Sequence, residues 1–380
     1  MEKKSLGIYI HIPFCEKKCD YCNFVSFCMP NSKKTEYVSA LTEEIKQQSN
    51  TFKDYSIDTI FIGGGTPTTL PDGEISKILS ATRQNFDVKP ECEISIECNP
   101  NSLTKQKLAE YKNSGITRLS VGLQAYNNKV LKLVGRLHTK KQFDNAIKNA
   151  KELGFENINV DLILGLPKQK MCHIKQELKH LIKLGIKHIS AYGLIVEENT
   201  KLYDNLKQKK YTLPKEELQV KMYDCTNKYL QKHNIFRYEV SNFAANGYEC
   251  KHNFKYWSNK EYLGLGAVSS SYVNLERWKN TDNVDEYIKS VKENNIQKLE
   301  REILSKQDLI EEIIMLALRT QKGIDLTLLK EQFDYDLYQQ KKQQIDSFIS
   351  QNLLKMENGF LFCTYTGFKL LNAIILELVS

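Results

Sequence analysis

The sequence predicts an α/β protein: a partial (β/α)6 barrel followed by a C-terminal α+β domain of the winged-helix type. Short apolar segments alternate with longer amphipathic segments from the start of the chain to about Glu198. Beyond that point the alternation stops, and the end of the chain is helical except for one strong hairpin signal. Because strands that alternate with helices over short connections indicate βαβ units, the first segment predicts a parallel sheet.

The predicted barrel covers residues 1–235. Its strands are Gly7–Ile12, Thr59–Ile62, Glu93–Glu97, Arg118–Leu123, Asn157–Ile163 and His188–Leu194. Its helices are Lys34–Gln48, Gly73–Gln84, Thr104–Asn113, Lys140–Leu153, Lys170–Leu184 and Lys215–Lys232. The strands are fewer than the eight that close a full barrel, so we expect an incomplete barrel with functional groups at the carboxyl ends of its strands.

Residues 236–300 are predicted to connect the barrel to the C-terminal domain, residues 301–380. The connection includes a stretch, Arg237–Trp278, that is too rich in Tyr, Asn and Gly for a simple helical layer. The C-terminal domain is predicted to contain a hairpin that turns at Asn358-Gly359. Its predicted elements are the helices Leu309–Leu318, Leu326–Phe333 and Leu337–Ser350, the strands Leu353–Glu357 and Phe360–Thr364, and the helix Phe368–Leu378. None of these helices is conspicuously basic, so we expect the domain to cover the barrel rather than to bind DNA.

The composition predicts a cytoplasmic protein that neither binds nucleic acid nor spans a membrane. The chain has 54 basic and 46 acidic residues, and its formal charge of +8 is scattered rather than concentrated in one patch. No apolar run is long enough for a membrane span. The first residues lead directly into the first predicted strand, which leaves no room for a signal peptide. Ten cysteines without a leader indicate a reducing compartment.

Three cysteines after the first predicted strand, Cys15, Cys19 and Cys22, have the spacing C-x3-C-x2-C. Three thiolates can hold three corners of a [4Fe–4S] cluster, which leaves one iron open to an outside molecule. A zinc site and a chance spacing are the alternatives, but structural zinc prefers four closed ligands. The other cysteines follow no second ligand spacing. The triplet therefore predicts an iron–sulfur cluster.

Further polar and glycine-rich signals fall at the ends of later strands. Gly63-Gly64-Gly65-Thr66-Pro67 directly follows a strand, and its backbone N–H groups could bind a carboxylate or a phosphate. Ionisable side chains in apolar strands are costly to bury without a partner. Taken singly, each such residue is about as easily explained by a structural hydrogen bond as by a ligand contact. Together they predict one ligand pocket, formed by Glu97, Gln124, Arg136 and Asp161.

With these motifs, the chain resembles the radical S-adenosylmethionine (SAM) proteins around oxygen-independent coproporphyrinogen III oxidase. The resemblance runs from Tyr9-Ile-His-Ile-Pro-Phe-Cys15 to the last helix. It implies a radical SAM barrel in which SAM binds the open iron of the cluster. It also implies SAM contacts at Tyr9, Gly64, Gly65, Thr66, Glu97, Gln124, Arg136 and Asp161. Ile163 and Ile195 fall at positions that line the same pocket.

Within this family, the chain resembles the HemW-type haem chaperones more than the oxidases. The oxidase branch has a further cysteine two positions after the third and a long N-terminal extension. Here that position is Phe24, and only 14 residues precede Cys15. The run His252-Asn-Phe-Lys-Tyr-Trp257 matches the H-N-x-x-Y-W motif of the chaperones. One residue departs from the family pattern, because Ser270 stands near a position that usually carries histidine.

The resemblance implies that His252 is an axial haem ligand, a role that suits a neutral imidazole. Tyr256, Trp257 and Tyr262 offer flat surfaces to a macrocycle. An isolated histidine would more often cap a loop. Only the matched motif favours a role for His252 as a haem ligand. The resemblance therefore implies a protein that binds haem, a [4Fe–4S] cluster and SAM.

The function implied is the delivery of haem to an acceptor protein, whose identity the sequence does not give. An electron donor would be needed if SAM is cleaved. One alternative is an enzyme of porphyrin biosynthesis that decarboxylates coproporphyrinogen III oxidatively with SAM. The other is a radical SAM enzyme with a different substrate, which would leave the motif at His252 unexplained.

Overall fold

The chain is described by a computed structural model that covers residues 3–379. The first group of strands is β1 (Lys4–Ile12), β2 (Tyr55–Gly64), β3 (Val88–Cys98), β4 (Arg118–Gln124), β5 (Asn157–Leu164) and β6 (His188–Gly193). The second group is β7 (Phe236–Arg237), β8 (Asn242–Ala244), β9 (Tyr262–Leu265), β10 (Ser270–Val273), β11 (Glu276–Lys279) and β12 (Leu299–Ile303). Both groups belong to one sheet with the order β12-β11-β10-β9-β1-β2-β3-β4-β5-β6-β8-β7.

The centre of this sheet confirms the predicted partial barrel. Each of the strands β1 to β6 runs parallel to its neighbour along the chain. β9 also pairs in parallel with β1, whereas β8 pairs antiparallel with β6. Strands from residues 236–303 therefore extend the sheet at both of its edges. The sequence did not reveal them because each is only two to five residues long, which gives little periodicity.

Helices connect and flank the strands of the sheet. They are α1 (Asn31–Ser49), α2 (Glu74–Asn85), α3 (Lys105–Asn113), α4 (Asn128–Leu133), α5 (Lys140–Glu152), α6 (Met171–Lys183), α7 (Lys201–Lys207), α8 (Glu216–Gln231), α9 (Lys251–Trp257) and α10 (Val284–Lys292). A 3-10 helix spans Pro67–Thr69. Ile8, Ile10 and Ile12 of β1 are fully buried in the same cluster as Leu41 and Ile45 of α1. This apolar packing fixes α1 against the outside of the sheet.

Side-chain caps explain where several of these helices begin. Thr139 accepts a hydrogen bond from the backbone of Gln142, whose side chain in turn accepts from the backbone of Thr139, which makes a capping box at the start of α5. The side chain of Asn283 caps α10 by accepting from the backbone N–H groups of Asp285 and Glu286. The short helices α4, α7, α9 and α10 were absent from the sequence-based prediction. One or two turns give too little periodicity to be recognised.

The C-terminal domain has its own core. It contains α11 (Lys306–Ala317), β13 (Ile324–Asp325), α12 (Leu326–Phe333), α13 (Leu337–Gln340), α14 (Lys342–Ser350), β14 (Leu354–Glu357), β15 (Phe360–Cys363), a 3-10 helix (Gly367–Leu370) and α15 (Leu371–Val379). The strands form an antiparallel sheet in the order β13-β15-β14, and the predicted hairpin at Asn358-Gly359 is confirmed. Helices packed on a small antiparallel sheet agree with the predicted winged-helix-like architecture.

Polar contacts, together with a small apolar cluster of Tyr272, Leu304 and Leu309, attach this domain to the barrel. Glu239 and Thr320 form an isolated antiparallel bridge. The guanidinium group of Arg277 binds both carboxylate oxygens of Glu312, and Nη2 lies 2.7 Å from Oε2. The guanidinium carbon of Arg237 lies 3.7 Å from the ring centre of Phe368. Across residues 3–379, no helix is long and apolar enough to cross a lipid bilayer.

Candidate functional site

The barrel contains a polar lumen of about 440 Å³ that opens beside the cysteine loop. Every second side chain of β4 faces it, namely Arg118, Ser120 and Gln124, with Gly122 between them. β5 contributes Asn159, Asp161 and Ile163 in the same way. Alternate residues of a strand point to the same face, so the pattern follows from the pleat. The interior of a closed barrel is normally packed with branched apolar side chains, and a polar lumen instead indicates a ligand site.

The three predicted cluster ligands lie together at this lumen. Cys15, Cys19 and Cys22 are half-buried free thiols on the loop that follows β1, and all three line the lumen. Two backbone hydrogen bonds hold the loop: the N–H of Cys15 donates to the carbonyl oxygen of Phe27 at 3.0 Å, and that of Cys22 to Cys19 at 3.1 Å. Within residues 3–379, no group of three His, Cys, Asp or Glu side chains is gathered around a single-ion position. A cubane does not need such a position, because each thiolate binds a different iron.

A half-buried cation lies beside the thiols. Nη1 of Arg136 donates to Sγ of Cys19 at 3.6 Å, and Nη2 donates to the carbonyl oxygen of Gly122 at 2.7 Å. Nη2 also donates to Oδ1 of Asn99, while Nε is buried without a partner. A guanidinium group with spare donor capacity at this position fits a negatively charged thiolate cluster and an anionic group bound next to it.

The glycine turn packs directly against the cysteine loop. Gly64 has a φ of 114°, a backbone conformation that residues with a Cβ rarely adopt. A Cβ on Gly65 would lie 2.7 Å from the carbonyl oxygen of Phe14, so this close approach also requires glycine. Oγ1 of Thr66 lies 3.5 Å from Sγ of Cys15. The turn therefore brings Gly64, Gly65 and Thr66 to the lumen, as predicted.

Two carboxyl groups face the lumen from neighbouring strands. Glu97 accepts a hydrogen bond from the backbone N–H of Gly64 at 3.0 Å. Burial, together with the nearby charge of Asp161, raises the pKa of Glu97 to about 8. Asp161 accepts from Nδ2 of Asn159 at 2.8 Å and from Oγ of Ser120 at 3.3 Å. The lumen therefore contains one carboxyl group that readily holds a proton and one supported by hydrogen-bond donors.

Gln124 reaches the lumen through an unusual backbone conformation. Its φ is 65°, in the left-handed region, where non-glycine residues are uncommon. The register between β4 and β5 also shifts at this point, between Gly122 and Gln124. Strained residues of this kind tend to cluster at functional sites.

Most of the predicted site residues therefore meet in one place. The lumen is lined by Cys15, Cys19, Cys22, Gly64, Gly65, Thr66, Glu97, Gln124, Arg136, Asp161, Ile163 and Ile195. Tyr9 does not line it. Its hydroxyl group lies 3.0 Å from Nδ1 of His11, and its ring stacks on Phe61, which is itself a lining residue.

His252 also lies outside the lumen and, like Tyr9, contacts Phe61. It is fully buried on α9, and its ring stacks on Phe61 with the centroids 5.4 Å apart. Nδ1 lies 2.9 Å from Oγ1 of Thr59, and Nε2 lies 2.8 Å from the hydroxyl group of Tyr256. Burial, together with the charges of Lys255 and Arg118, lowers the pKa of His252 to about 3. The imidazole is therefore neutral, and in this conformation both of its nitrogens are already hydrogen-bonded.

The polar floor of the lumen was not predicted from the sequence. Arg118 is fully buried, and its Nη2 lies 2.9 Å from Nδ1 of His188. Oγ of Ser190 donates to Oδ1 of Asn242 at 2.6 Å, and Asn242 also lines the lumen. The signal was present in Arg118-Leu-Ser-Val-Gly-Leu-Gln124, where every second residue is polar or small. Asn253, the neighbour of His252, completes the floor.

Comparisons with known proteins agree with this architecture. The family model of the radical SAM superfamily matches residues 9–181, and that of the HemN C-terminal domain matches residues 304–370. The heme chaperone HemW of Lactococcus lactis is 34% identical over 372 residues, which are 98% of this chain and 97% of that protein. The heme chaperone HemW of Bacillus subtilis is 33% identical over 362 residues, 94% of this chain and 95% of that protein.

A solved structure shows the same fold over the whole chain. It is that of coproporphyrinogen III oxidase (HemN) from Escherichia coli, a radical SAM enzyme, with a TM-score of 0.88 and 24% sequence identity. The match covers 100% of this chain and 91% of the oxidase chain. The barrel described above is therefore a radical SAM fold.

Proposed function

Because this chain belongs to the HemW family of radical SAM proteins, we propose that it is a haem chaperone. In this proposal it binds a [4Fe–4S] cluster, SAM and haem, and passes haem to an acceptor protein. The observation that carries the proposal is the identity of 33–34% with two chaperones over nearly the whole chain. The matched motif at His252–Trp257 supports it. All ten cysteines are free, as suits a cytoplasmic protein.

The cysteine loop has the donor set that a cluster needs. Cys15, Cys19 and Cys22 would each bind one iron, and the fourth iron would remain for SAM. When bound, the cluster could supply one electron to SAM. The hydrogen bond from Arg136 to Cys19 would stabilise the negative charge on that sulfur.

The polar lumen next to the cysteines would hold SAM. The carboxyl groups of Glu97 and Asp161 suit the amino and hydroxyl groups of SAM, and the glycine turn allows close backbone contact. Gln124 and Arg136 provide donors from two further segments. Tyr9 would act through Phe61, whose ring it contacts. These residues would orient SAM and limit the access of water.

Haem ligation by His252 requires a local rearrangement. The hydroxyl group of Tyr256 is hydrogen-bonded to Nε2 of the ring, and the hydroxyl group of Thr59 is hydrogen-bonded to Nδ1. We propose that His252 becomes an axial ligand only after the hydroxyl group of Tyr256 leaves Nε2. The low pKa of the ring favours this role, because no proton has to leave before iron binds.

The deciding experiment offers both rival ligands to the anaerobically reconstituted protein. Haem titration should give a Soret band that weakens or shifts in His252→Ala, and the loaded protein should transfer haem to apomyoglobin, used here as a generic acceptor. Coproporphyrinogen III with SAM and dithionite should remain unconverted. Conversion to protoporphyrinogen IX would replace the chaperone proposal with the oxidase.

A further inference from the structure

Large apolar side chains are exposed at the mouth of the lumen. Phe24 and Ile195 are each 72% exposed, and Tyr192 is 41% exposed. All three line the same opening, although they come from the cysteine loop and from the end of β6. Single exposed apolar residues are ordinary, but several around one opening mark a binding surface.

Two cations share this mouth. Lys17 and Lys18 lie between the first two cysteines, and both are exposed and line the opening. Of the ion pairs that the structure describes between residues 3 and 379, none involves either lysine. The mouth, defined by Lys17, Lys18, Phe24, Tyr192 and Ile195, therefore combines an apolar surface with unpaired positive charge.

We propose that this mouth is the docking surface for the haem macrocycle while His252 is still paired with Thr59 and Tyr256. The inference rests on the proposed function. Haem is a flat apolar ring with two carboxylates on one edge, and the mouth offers groups for both parts. Phe24 and Ile195 contact the ring, and Lys17 and Lys18 face the propionates.

The alternatives within the barrel fit a macrocycle less well. The lumen below the mouth is lined by charged and amide side chains such as Arg118, Asn159 and Asp161, which are poor partners for an apolar ring. His252 is closed to iron in this conformation. Haem therefore lies across the mouth instead of entering the lumen.

Matched variants test the apolar part of this surface. Haem titrations are made on the reconstituted wild-type protein and on Phe24→Ser, Ile195→Ser and Ile303→Ser. Ile303 is the control, because it is 70% exposed on β12 and does not line the lumen. Cluster absorbance and circular dichroism check that each variant is folded. We expect haem to bind about tenfold more weakly to each mouth variant, on the scale of one lost apolar contact, and unchanged to the control.

Haem dimethyl ester tests the cationic part, because its propionates carry no charge. The wild-type protein should bind the ester more weakly than haem, and Lys17→Gln/Lys18→Gln should remove that difference. If Phe24→Ser and Ile195→Ser both bind haem with wild-type affinity, the proposal that haem docks at the mouth is overturned, and the proposed chaperone function is left intact. If the wild-type protein binds no haem at all, both the docking proposal and the proposed chaperone function are overturned.

Discussion

At the scale of single residues, the cysteine loop offers a direct control for the cluster assignment. Cys28 is six residues beyond Cys22, is exposed, and donates weakly to the carbonyl oxygen of Glu16 at 3.4 Å. We expect Cys15→Ala, Cys19→Ala and Cys22→Ala each to abolish the visible absorption of the reconstituted [4Fe–4S] cluster, because three thiolates are its protein ligands. Cys28→Ala should keep it. A cluster retained in Cys19→Ala but lost in Cys28→Ala would contradict the assignment.

The raised pKa of Glu97 predicts how SAM binding depends on pH. At pH 7 a carboxyl group with a pKa of about 8 is mostly protonated and attracts the cationic groups of SAM weakly. As pH rises through 8 the group ionises, so the contribution of Glu97 to SAM affinity should increase. Calorimetry at pH 6.5 to 9 measures the effect. Glu97→Gln is the matched control. The ionisation of SAM itself changes with pH in the same way in both experiments, so a difference between the two pH profiles comes from the carboxyl group of Glu97. Parallel pH profiles in the two proteins would refute the prediction.

Glu177 carries a second prediction, about stability. It is buried on α6, accepts a hydrogen bond from the backbone N–H of Tyr126, and leaves Oε2 without a partner. Burial raises its pKa to about 8, above the ordinary value of 4.5. The folded protein therefore holds a proton that the unfolded chain releases, and stability falls as pH rises from 4.5 to 8. This slope is at most about 1.4 kcal/mol per pH unit. Glu177→Gln should flatten it in denaturant titrations; an unchanged slope would count against the buried proton.

At the scale of secondary-structure elements, Glu44 joins α1, α10 and the segment between β9 and β10. It accepts from the N–H of Gly266 at 2.7 Å, from Nδ2 of Asn280 at 2.8 Å and from the hydroxyl group of Tyr287 at 2.6 Å. Glu44→Ala removes the acceptor of the Gly266 N–H and of the Tyr287 hydroxyl group, whereas Nδ2 of Asn280 still donates to the carbonyl oxygen of Gly266. We expect it to lower the free energy of unfolding by about 3 kcal/mol.

The neighbouring residue gives the control for Glu44. Glu43 is exposed on the same helix, so Glu43→Ala should change the free energy of unfolding by less than about 0.5 kcal/mol. Urea titrations compare the two variants in the same background. Equal effects would mean that the substitution acts through helix propensity and not through the buried hydrogen bonds.

At the scale of the whole molecule, the sequence predicted the parts of the fold that have local signals. The parallel strands β1 to β6 and the part of the lumen lining that carries recognisable motifs were predicted, because strand periodicity and motif spacing are properties of contiguous residues. The edge strands β7 to β12 are two to five residues long, too short for a clear alternation, and were not predicted. The environments of Tyr9 and His252 also escaped prediction, because Phe61, which contacts both rings, is far from each in sequence. The division of the chain at residues 235 and 300 stays a prediction.

The two hydrophobic cores predict how the whole molecule unfolds. The barrel and the C-terminal domain bury separate clusters, and the contacts between them include the pair of Arg277 with Glu312. A small apolar cluster, in which Tyr272 of β10 packs with Leu304 and Leu309, also joins them. Because this cluster is small compared with the two separate cores, we expect calorimetry to resolve two transitions. Glu312→Ala breaks a partly buried bidentate pair and should lower the transition of the smaller domain, with a loss of about 1–3 kcal/mol. Glu300→Ala breaks only the exposed pair with Lys279, so its effect should stay below about 1 kcal/mol. A single two-state transition that both variants shift equally would show that the domains unfold as one unit.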